Sequence, residues 1–135
     1  MAVGVLLHGT VTFGEAVPME PGEDQSVVTA FGSRLRDDAE ANGYGELAAH
    51  LEARARQMPG FVDFKTFVAD DGERVSLVTF DSVAHHEAWR DDPEHRAAQE
   101  QGRRAFYLTS SVTVCRVLRR RHFDARDRFP SQGEP

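Results

Sequence analysis

The residues best suited to chemistry are concentrated between positions 85 and 107 of this 135-residue chain. Histidines stand at His85, His86 and His95, and the only tryptophan of the chain is Trp89. An imidazole with a pKa near 6.5 can take up or release a proton at neutral pH. An indole ring offers a flat apolar surface to a planar ligand. The question is therefore whether this charged segment is an ordinary surface helix or lines a site for a small molecule.

The helix predicted to begin at Pro93 has two different sides when it is drawn at 3.6 residues per turn. His95 lies in the middle of the apolar side, with Gln99 at its edge and Arg103 on its border. Two interpretations of His95 remain open: a core histidine bonded to a backbone carbonyl, or a functional group beside small residues that leave space for a ligand. The apolar side comprises Ala98, Gly102, Ala105 and Phe106, and the outer side, spaced for surface ion pairs, comprises Arg96, Glu100, Arg104 and Tyr107.

Polar residues around Trp89 do not form a recognisable metal site. His85 and His86 precede Trp89 by four and three residues, and Asp81 and Glu87 are nearby in sequence. Together with His95, these residues match no established ligand pattern such as H-x-x-x-H on one helix, so we predict no metal. The nucleotide-binding and hydrolase motifs G-x-G-x-x-G, P-loop, G-x-S-x-G and C-x-x-C are also missing from the sequence.

Composition bounds the class of protein. With 40% hydrophobic and 28% charged residues, the chain has the make-up of one globular domain. A net charge of −6 argues against nucleic-acid binding, which needs a basic surface. The lone Cys115 excludes an intrachain disulfide and, in a strand-like run, predicts a buried inert thiol. The first residues have neither a basic signal-peptide region nor a membrane-length apolar run, so we expect a cytoplasmic protein without membrane contact.

Hydrophobic alternation and helical periodicity give the order of the secondary-structure elements. Strands are predicted over 3–13, 26–35, 61–70, 73–81 and 108–119, and an amphipathic helix over 43–57. Ser82 is placed to cap a short helix through Trp89, and Asp92-Pro93 to begin a second helix that runs to about Phe106. From residue 26 the order is β-α-β-β-α-β, which predicts an α+β, ferredoxin-like antiparallel sheet with helices on one face.

The same pattern divides the chain into three parts. An N-terminal extension over 1–25 contributes the extra strand and a loop, a ferredoxin-like domain spans 26–119, and a polar tail spans 120–135. The strands are apolar in both alternation sets, as in Val27 and Phe31 against Val28 and Ala30. Two helices can cover only one face of a four-stranded sheet. We therefore predict a homodimer joined sheet to sheet.

Three stretches carry a resemblance to a known family: MPGF at 58–61, DGERVSLVTFDS at 71–82, and the pattern W-x5-H-x3-Q-x2-GR-x2-FY from Trp89 to Tyr107. With VTVCRV at 112–117, they make residues 26–119 similar to the antibiotic biosynthesis monooxygenase family of dimeric α+β barrels. The resemblance implies a ferredoxin-like protomer, a dimer and a pocket between helices and sheet. Some members oxygenate aromatic polyketides to quinones without flavin or metal, and others bind and degrade haem.

The resemblance implies a cofactor-independent monooxygenase that acts with molecular oxygen on an aromatic, polyketide-type molecule in secondary metabolism. His95 or His86 would be the base, and Trp89 and Phe106, with Tyr107 of the same pattern, would hold the substrate. Gln99 and Arg103 would stabilise a developing oxyanion. The alternatives are haem chemistry with an axial histidine, and a cyclase or ligand-binding dimer. One departure is the His85-His86 pair, which stands where the pattern normally has small or aliphatic residues and predicts a more polar pocket.

Overall fold

The computed structural model describes residues 24–128, so the strand expected over 3–13 lies outside the described residues. Within them the elements follow the predicted order. They are β1 (Val27–Leu35), α1 (Tyr44–Gln57), β2 (Phe61–Val68), β3 (Arg74–Phe80), α2 (Val83–Arg90), α3 (Pro93–Ala105), β4 (Tyr107–Arg116) and α4 (Ala125–Arg128). No helix among residues 24–128 is long and apolar enough to span a membrane.

The four strands form one antiparallel sheet in the order β2-β3-β1-β4. β1 lies in the centre, where Phe31 pairs with Ser76 of β3 on one side and with Val112 of β4 on the other. Helices α1, α2 and α3 pack against one face. The ferredoxin-like α+β prediction is therefore confirmed.

Local capping and turn chemistry explains where the elements begin. Ser82 precedes α2, and its hydroxyl accepts a hydrogen bond from the His85 backbone N–H at 3.1 Å. Asp92 caps α3 in the same way, with Pro93 at the first helical position. Between β2 and β3 the chain turns at Gly72, whose φ of 90° lies in the left-handed region that favours glycine. The residues that position the site are thus specified by short-range signals.

The main core lies under α1 and α2 at one end of the sheet. Phe80 and Trp89 are almost fully buried there, and their rings stack with centroids 6.2 Å apart. Phe61 packs edge-on against Phe80 at 5.9 Å. Regular alternation along β2 would place Phe61 and Phe64 on opposite faces of the sheet, but both pack against this core. A β-bulge in β2, between Phe61 and Asp63, inserts the residue that brings them onto the same side.

The opposite face of the sheet also carries apolar side chains, as the alternation pattern predicted. Leu77 is 36% exposed and Phe67 49% exposed. Along β3, Leu77 alternates with the helix-facing Ser76 and Val78. Phe67 of β2 pairs with Val75 of β3, which lies on the same face as Leu77. We call this surface, which also includes Val28, Ala30 and Val75, the open face. The expectation of a buried thiol is wrong, because Cys115 lies exposed at the edge strand β4, where only one neighbouring strand shields it.

The first residues of the C-terminal tail contact the beginning of the described chain. The Val117 backbone N–H donates to the Ser26 carbonyl at 3.0 Å, and Arg120 pairs with Asp24 at 2.7 Å. Hydrogen bonds from Ser26 and Arg120 lower the pKa of Asp24 to about 2. The tail therefore continues alongside β1 before it forms the single turn of α4.

The strongest polar connection between helices is the ion pair of Arg54 on α1 with Asp92. The guanidinium donates two hydrogen bonds to the carboxylate, at 2.7 and 2.6 Å, and the Asp92 side chain is only 5% exposed. The hydrogen bond from Arg54 is the main reason why the pKa of Asp92 falls to about 2. The same carboxylate caps α3 through the His95 backbone N–H at 3.0 Å. One side chain thus fixes both the start of α3 and its distance from α1.

We expect Asp92→Ala to lower the free energy of unfolding by about 2–4 kcal/mol, because it removes the cap of α3 and the more buried of the two carboxylate partners of Arg54, the other being Glu94. Asp92→Asn keeps a capping oxygen and should lose less, about 1–2 kcal/mol. Urea denaturation followed by circular dichroism measures both. Asp91→Asn is the matched control, since Asp91 is exposed and pairs with the exposed Arg90 and Arg96. Equal losses for Asp91→Asn and Asp92→Ala would contradict the assignment.

Candidate functional site

A cavity of about 530 Å³ separates the helices from the helix-covered face of the sheet. All four strands contribute to its floor, including Phe31 of β1, and helices α1, α2 and α3 contribute the opposite wall. Short side chains face it from this wall, namely Ala48 on α1 and Ala98 on α3. Trp89 closes one end. The walls are largely apolar, so the site suits an aromatic or otherwise hydrophobic small molecule.

His95 lines this cavity from the first turn of α3. Its ring stacks on the Trp89 indole, with the centroids 4.1 Å apart and the planes within 10°. Its Nδ1 lies 2.9 Å from the Trp89 carbonyl oxygen. Because a carbonyl oxygen only accepts, Nδ1 of the neutral ring carries the proton, and Nε2 keeps a free lone pair. Both interpretations of His95 hold at once: the ring is bonded to a backbone carbonyl, and it belongs to the wall of a cavity.

His86, on α2, lines the cavity beside it and is buried. Its Nδ1 lies 3.4 Å from the Thr29 hydroxyl of β1, a long contact that does not fix the tautomer. Burial lowers the pKa of His86 below its usual 6.5, and the positive charge of Arg90 lowers it further. Burial likewise lowers the pKa of His95, and this outweighs the opposing effects of the Trp89 carbonyl and Asp92. Both imidazoles are therefore neutral at pH 7.

Most of the other residues singled out in the sequence also meet at the cavity. Trp89 and Gln99 line it, as do Phe106 and Tyr107. The helical wheel put Tyr107 on the outer side of α3, and this is wrong. The helix ends at Ala105, and Tyr107 is the first residue of β4, so its direction follows the strand. Burial raises the pKa of Tyr107 to about 12, which keeps its phenol protonated and able to donate.

Arg103 does not line the cavity, contrary to its predicted role beside the substrate. Its guanidinium donates to Glu100, one helical turn earlier, at 2.9 Å, and its side chain is 61% exposed. A border position on a helix lets a long cationic side chain keep its charged head in water. The helical spacing places Glu100 where it could pair with Arg96 and Arg104. In the structure Glu100 pairs with Arg103, and Arg96 pairs with Asp91.

Gly102 allows close packing against Tyr107 and does not create space for a ligand. A Cβ added to Gly102 would lie 2.3 Å from the Tyr107 ring, whereas Ala98 borders the cavity itself. Of the paired histidines, only His86 enters the site, because His85 turns outwards to Asp81 at 2.6 Å. In the described span, 24–128, no three histidine, cysteine or acidic side chains come close enough together to hold a metal ion.

Several residues of the cavity had no signal in the sequence. Thr29 and Phe31 of β1, Tyr44 of α1, and Arg74 of β3 all line it. Each lies in a strand or helix that was predicted, but which strand positions face the helices depends on register. Once Phe31 is known to face inwards, the two-residue alternation also selects Thr29.

The chain belongs to the antibiotic biosynthesis monooxygenase family, which matches residues 33–101. It is 36% identical over 81 residues to the uncharacterized protein YqjZ of Bacillus subtilis, covering 60% of this chain and 71% of that protein. Among solved structures, SnoaB, a cofactor-independent oxygenase from Streptomyces nogalater, has a TM-score of 0.57 at 16% identity, covering 67% of this chain and 91% of SnoaB. Rv0793 from Mycobacterium tuberculosis has a TM-score of 0.60 at 19% identity, covering 74% and 98%. At these identities the structural matches show the shared fold.

Because folding lowers the pKa of both cavity histidines, stability should depend on pH with a defined sign. Below pH 6.5 the unfolded chain binds protons that the folded chain does not, so the free energy of unfolding should fall as the pH decreases from about 7. Urea denaturation between pH 5 and 8 measures this slope. The double variant with His86→Gln and His95→Asn should have a flatter profile. Stability that increases from pH 7 to 5.5 would contradict the pKa directions.

Proposed function

We propose that this protein is a cofactor-independent monooxygenase that acts on an aromatic, polyketide-type small molecule in secondary metabolism. The observation that supports it most is the state of His95. The bond from Nδ1 to the Trp89 carbonyl leaves Nε2 unprotonated on the wall of an apolar cavity. A neutral, oriented imidazole in a site of low polarity is what a general base requires. Membership of a family with oxygenase relatives agrees with this role.

The chemistry needs a substrate whose anion is electron-rich, such as an anthrone. Removal of a proton from its methylene carbon gives a carbanion that reacts with molecular oxygen. One oxygen atom becomes the new quinone carbonyl and the other leaves as water, so the conversion of CH₂ to C=O requires no external reductant. The contribution of the protein is to accept the first proton, hold the anion and exclude bulk water.

The lining residues suggest a division of roles. His95 would be the base, with His86 as a second neutral imidazole able to pass the proton on. Trp89 and Phe106 would contribute to the apolar wall of the substrate site; the faces of the Trp89 ring are already stacked with His95 and Phe80. Gln99, together with the protonated phenol of Tyr107, would take the oxyanion role that Arg103 is too far out to fill.

We expect His95→Asn to lower the rate of anthrone oxidation by about 10²–10⁴-fold, because an amide cannot act as the base. Asparagine is chosen since its NH₂ group can still donate towards the Trp89 carbonyl. Oxygen consumption and quinone absorbance give the rate, and quenching of Trp89 fluorescence gives substrate affinity, which should change little. The control is His85→Asn, a histidine outside the cavity. An unchanged rate in His95→Asn would refute the base assignment.

The same anchored imidazole also favours a second candidate, haem binding. Histidines that ligate metals commonly donate their other ring N–H to a backbone carbonyl, as His95 does. His95 would ligate the iron, and Arg74 on the cavity wall would be available to a propionate, whereas Arg90 already pairs with Asp91. Haemin titration decides this: no shift of the Soret band would exclude it. Tight binding of anthrone without oxygen uptake would instead indicate a cyclase or a ligand-binding protein.

We also propose that the protein is a homodimer in which two open faces pack together. Val28, Ala30, Val75 and Leu77 occupy the two central strands, while Lys65 stands near the edge, where its ammonium lies over the Phe67 ring at 5.4 Å. An apolar centre with a polar rim is the usual anatomy of a protein interface. Such an arrangement would cover the second face of the sheet.

We expect a dimer by light scattering at micromolar concentration, and a shift to monomer in Leu77→Arg, because a buried unpaired cation opposes association. Val83→Arg is the matched control, since Val83 is 39% exposed but belongs to α2 on the other side. Monomeric wild-type protein would refute the dimer. Dissociation of both variants would show that the dimer interface is not confined to the open face.

A further inference from the structure

The arginine at the start of β3 lies inside the cavity, at the end away from the histidines. Arg74 pairs across the sheet with Ser33 of β1, whereas Thr29, which contacts His86, stands four residues earlier on the same strand. Four residues of strand correspond to roughly 13 Å. Phe31 lies between these two positions and contributes to the apolar middle of the cavity. The cavity therefore has a basic imidazole end and a cationic end.

Arg74 has no partner for its charge in residues 24–128. Its Nε is fully buried and has no hydrogen-bond acceptor, and the guanidinium forms no salt bridge there. Its contact is with the Tyr44 ring, 5.6 Å from the guanidinium carbon. The other arginine on the cavity wall, Arg90, pairs with Asp91 at 2.9 Å. Buried N–H groups in native proteins nearly always have acceptors, so a cavity-lining guanidinium whose charge has no partner is available to an anionic ligand.

We propose that Arg74 binds a carboxylate carried by the aromatic ligand, at the end opposite the group that reacts near His95. This inference rests on the proposed function in taking the cavity as the site of an aromatic molecule. The planar fork of a guanidinium matches the two oxygens of a carboxylate. The hydroxyls of Ser33 and Ser76, on the same side of the sheet, are available as further donors.

The charged residues around the cavity favour a ligand with one negative charge over a ligand with two. Arg74 is the single unpaired cation of the lining, and the carboxylates of Glu40 and Glu52 also belong to the wall. A phosphate monoester, with a charge approaching −2 at pH 7, would meet repulsion from Glu40 and only one compensating guanidinium, since the Glu52 carboxylate is already paired with Arg56. A monocarboxylate is neutralised by Arg74 alone. The ligand class is thus an elongated aromatic monocarboxylic acid.

The test compares two ligands of almost equal shape, anthracene-2-carboxylate and anthracene-2-carboxamide. Binding to the full-length protein is followed by quenching of the single tryptophan, Trp89, and checked by calorimetry. We expect wild-type protein to bind the carboxylate at least tenfold more tightly than the amide. Arg74→Met should reduce this preference to less than twofold, while its affinity for the amide stays within twofold of wild type. The control is Arg34→Met, the same charge change outside the cavity.

Equal affinities of wild-type protein for the two ligands would overturn the proposal, and this comparison does not depend on any variant folding. A preference that survives in Arg74→Met would also overturn it. If neither ligand binds, the aromatic site itself is refuted, and the proposed function falls with it. If the preference depends on Arg74 but anthrone is not oxidised, the carboxylate site stands and only the oxygenase assignment fails.

Discussion

The buried carboxylate of Asp92 is the constraint on which the geometry of the site depends. It caps α3 through the His95 backbone N–H and holds Arg54 of α1 by two hydrogen bonds. These contacts fix the first turn of α3, and that turn places the His95 ring over Trp89. A change at Asp92 would therefore affect the distance between α1 and α3 and the orientation of the candidate base together. Stability and function are coupled at this residue.

The cavity arises because bulky residues at its ends separate the helices from the sheet while small ones line the middle. Phe80 and Trp89 fill the space under α2, and Phe106 packs against Tyr44 at the other end. Between these clusters the helices present Ala48 and Ala98. Close packing would otherwise leave few voids in a protein interior. The empty volume is thus a consequence of side-chain size along two helices whose ends are held apart.

The fold and several residues of the candidate site could be predicted from local sequence signals. Caps at Ser82 and Asp92 and the turn at Gly72 depend on neighbouring residues alone, so the element order followed from the sequence. The inward position of His95 also followed, since helical periodicity holds within a helix. Periodicity failed at Tyr107, because it cannot show where the helix ends.

Local sequence signals could not identify the cavity residues whose positions depend on pairing between distant strands. Arg74 follows a hairpin turn and has the composition of an exposed strand end, and only the register of β1 with β3 brings it to the cavity. Arg103 was misplaced for a different reason. Its nearest acid, Glu100, is on its own helix, and this short-range pair keeps the guanidinium in solvent. A border position on a helical wheel does not show whether a side chain lies in the cavity or in solvent.

The candidate base works under two opposing electrostatic effects. Burial lowers the pKa of His95 and has the largest effect, whereas the Trp89 carbonyl and the Asp92 carboxylate favour protonation. Because Arg54 donates directly to Asp92, the negative charge that His95 experiences is partly neutralised. The ion pair between the helices therefore has a chemical consequence besides its structural one. By offsetting the Asp92 charge, Arg54 acts in the same direction as burial, which favours the neutral imidazole whose Nε2 lone pair a base needs.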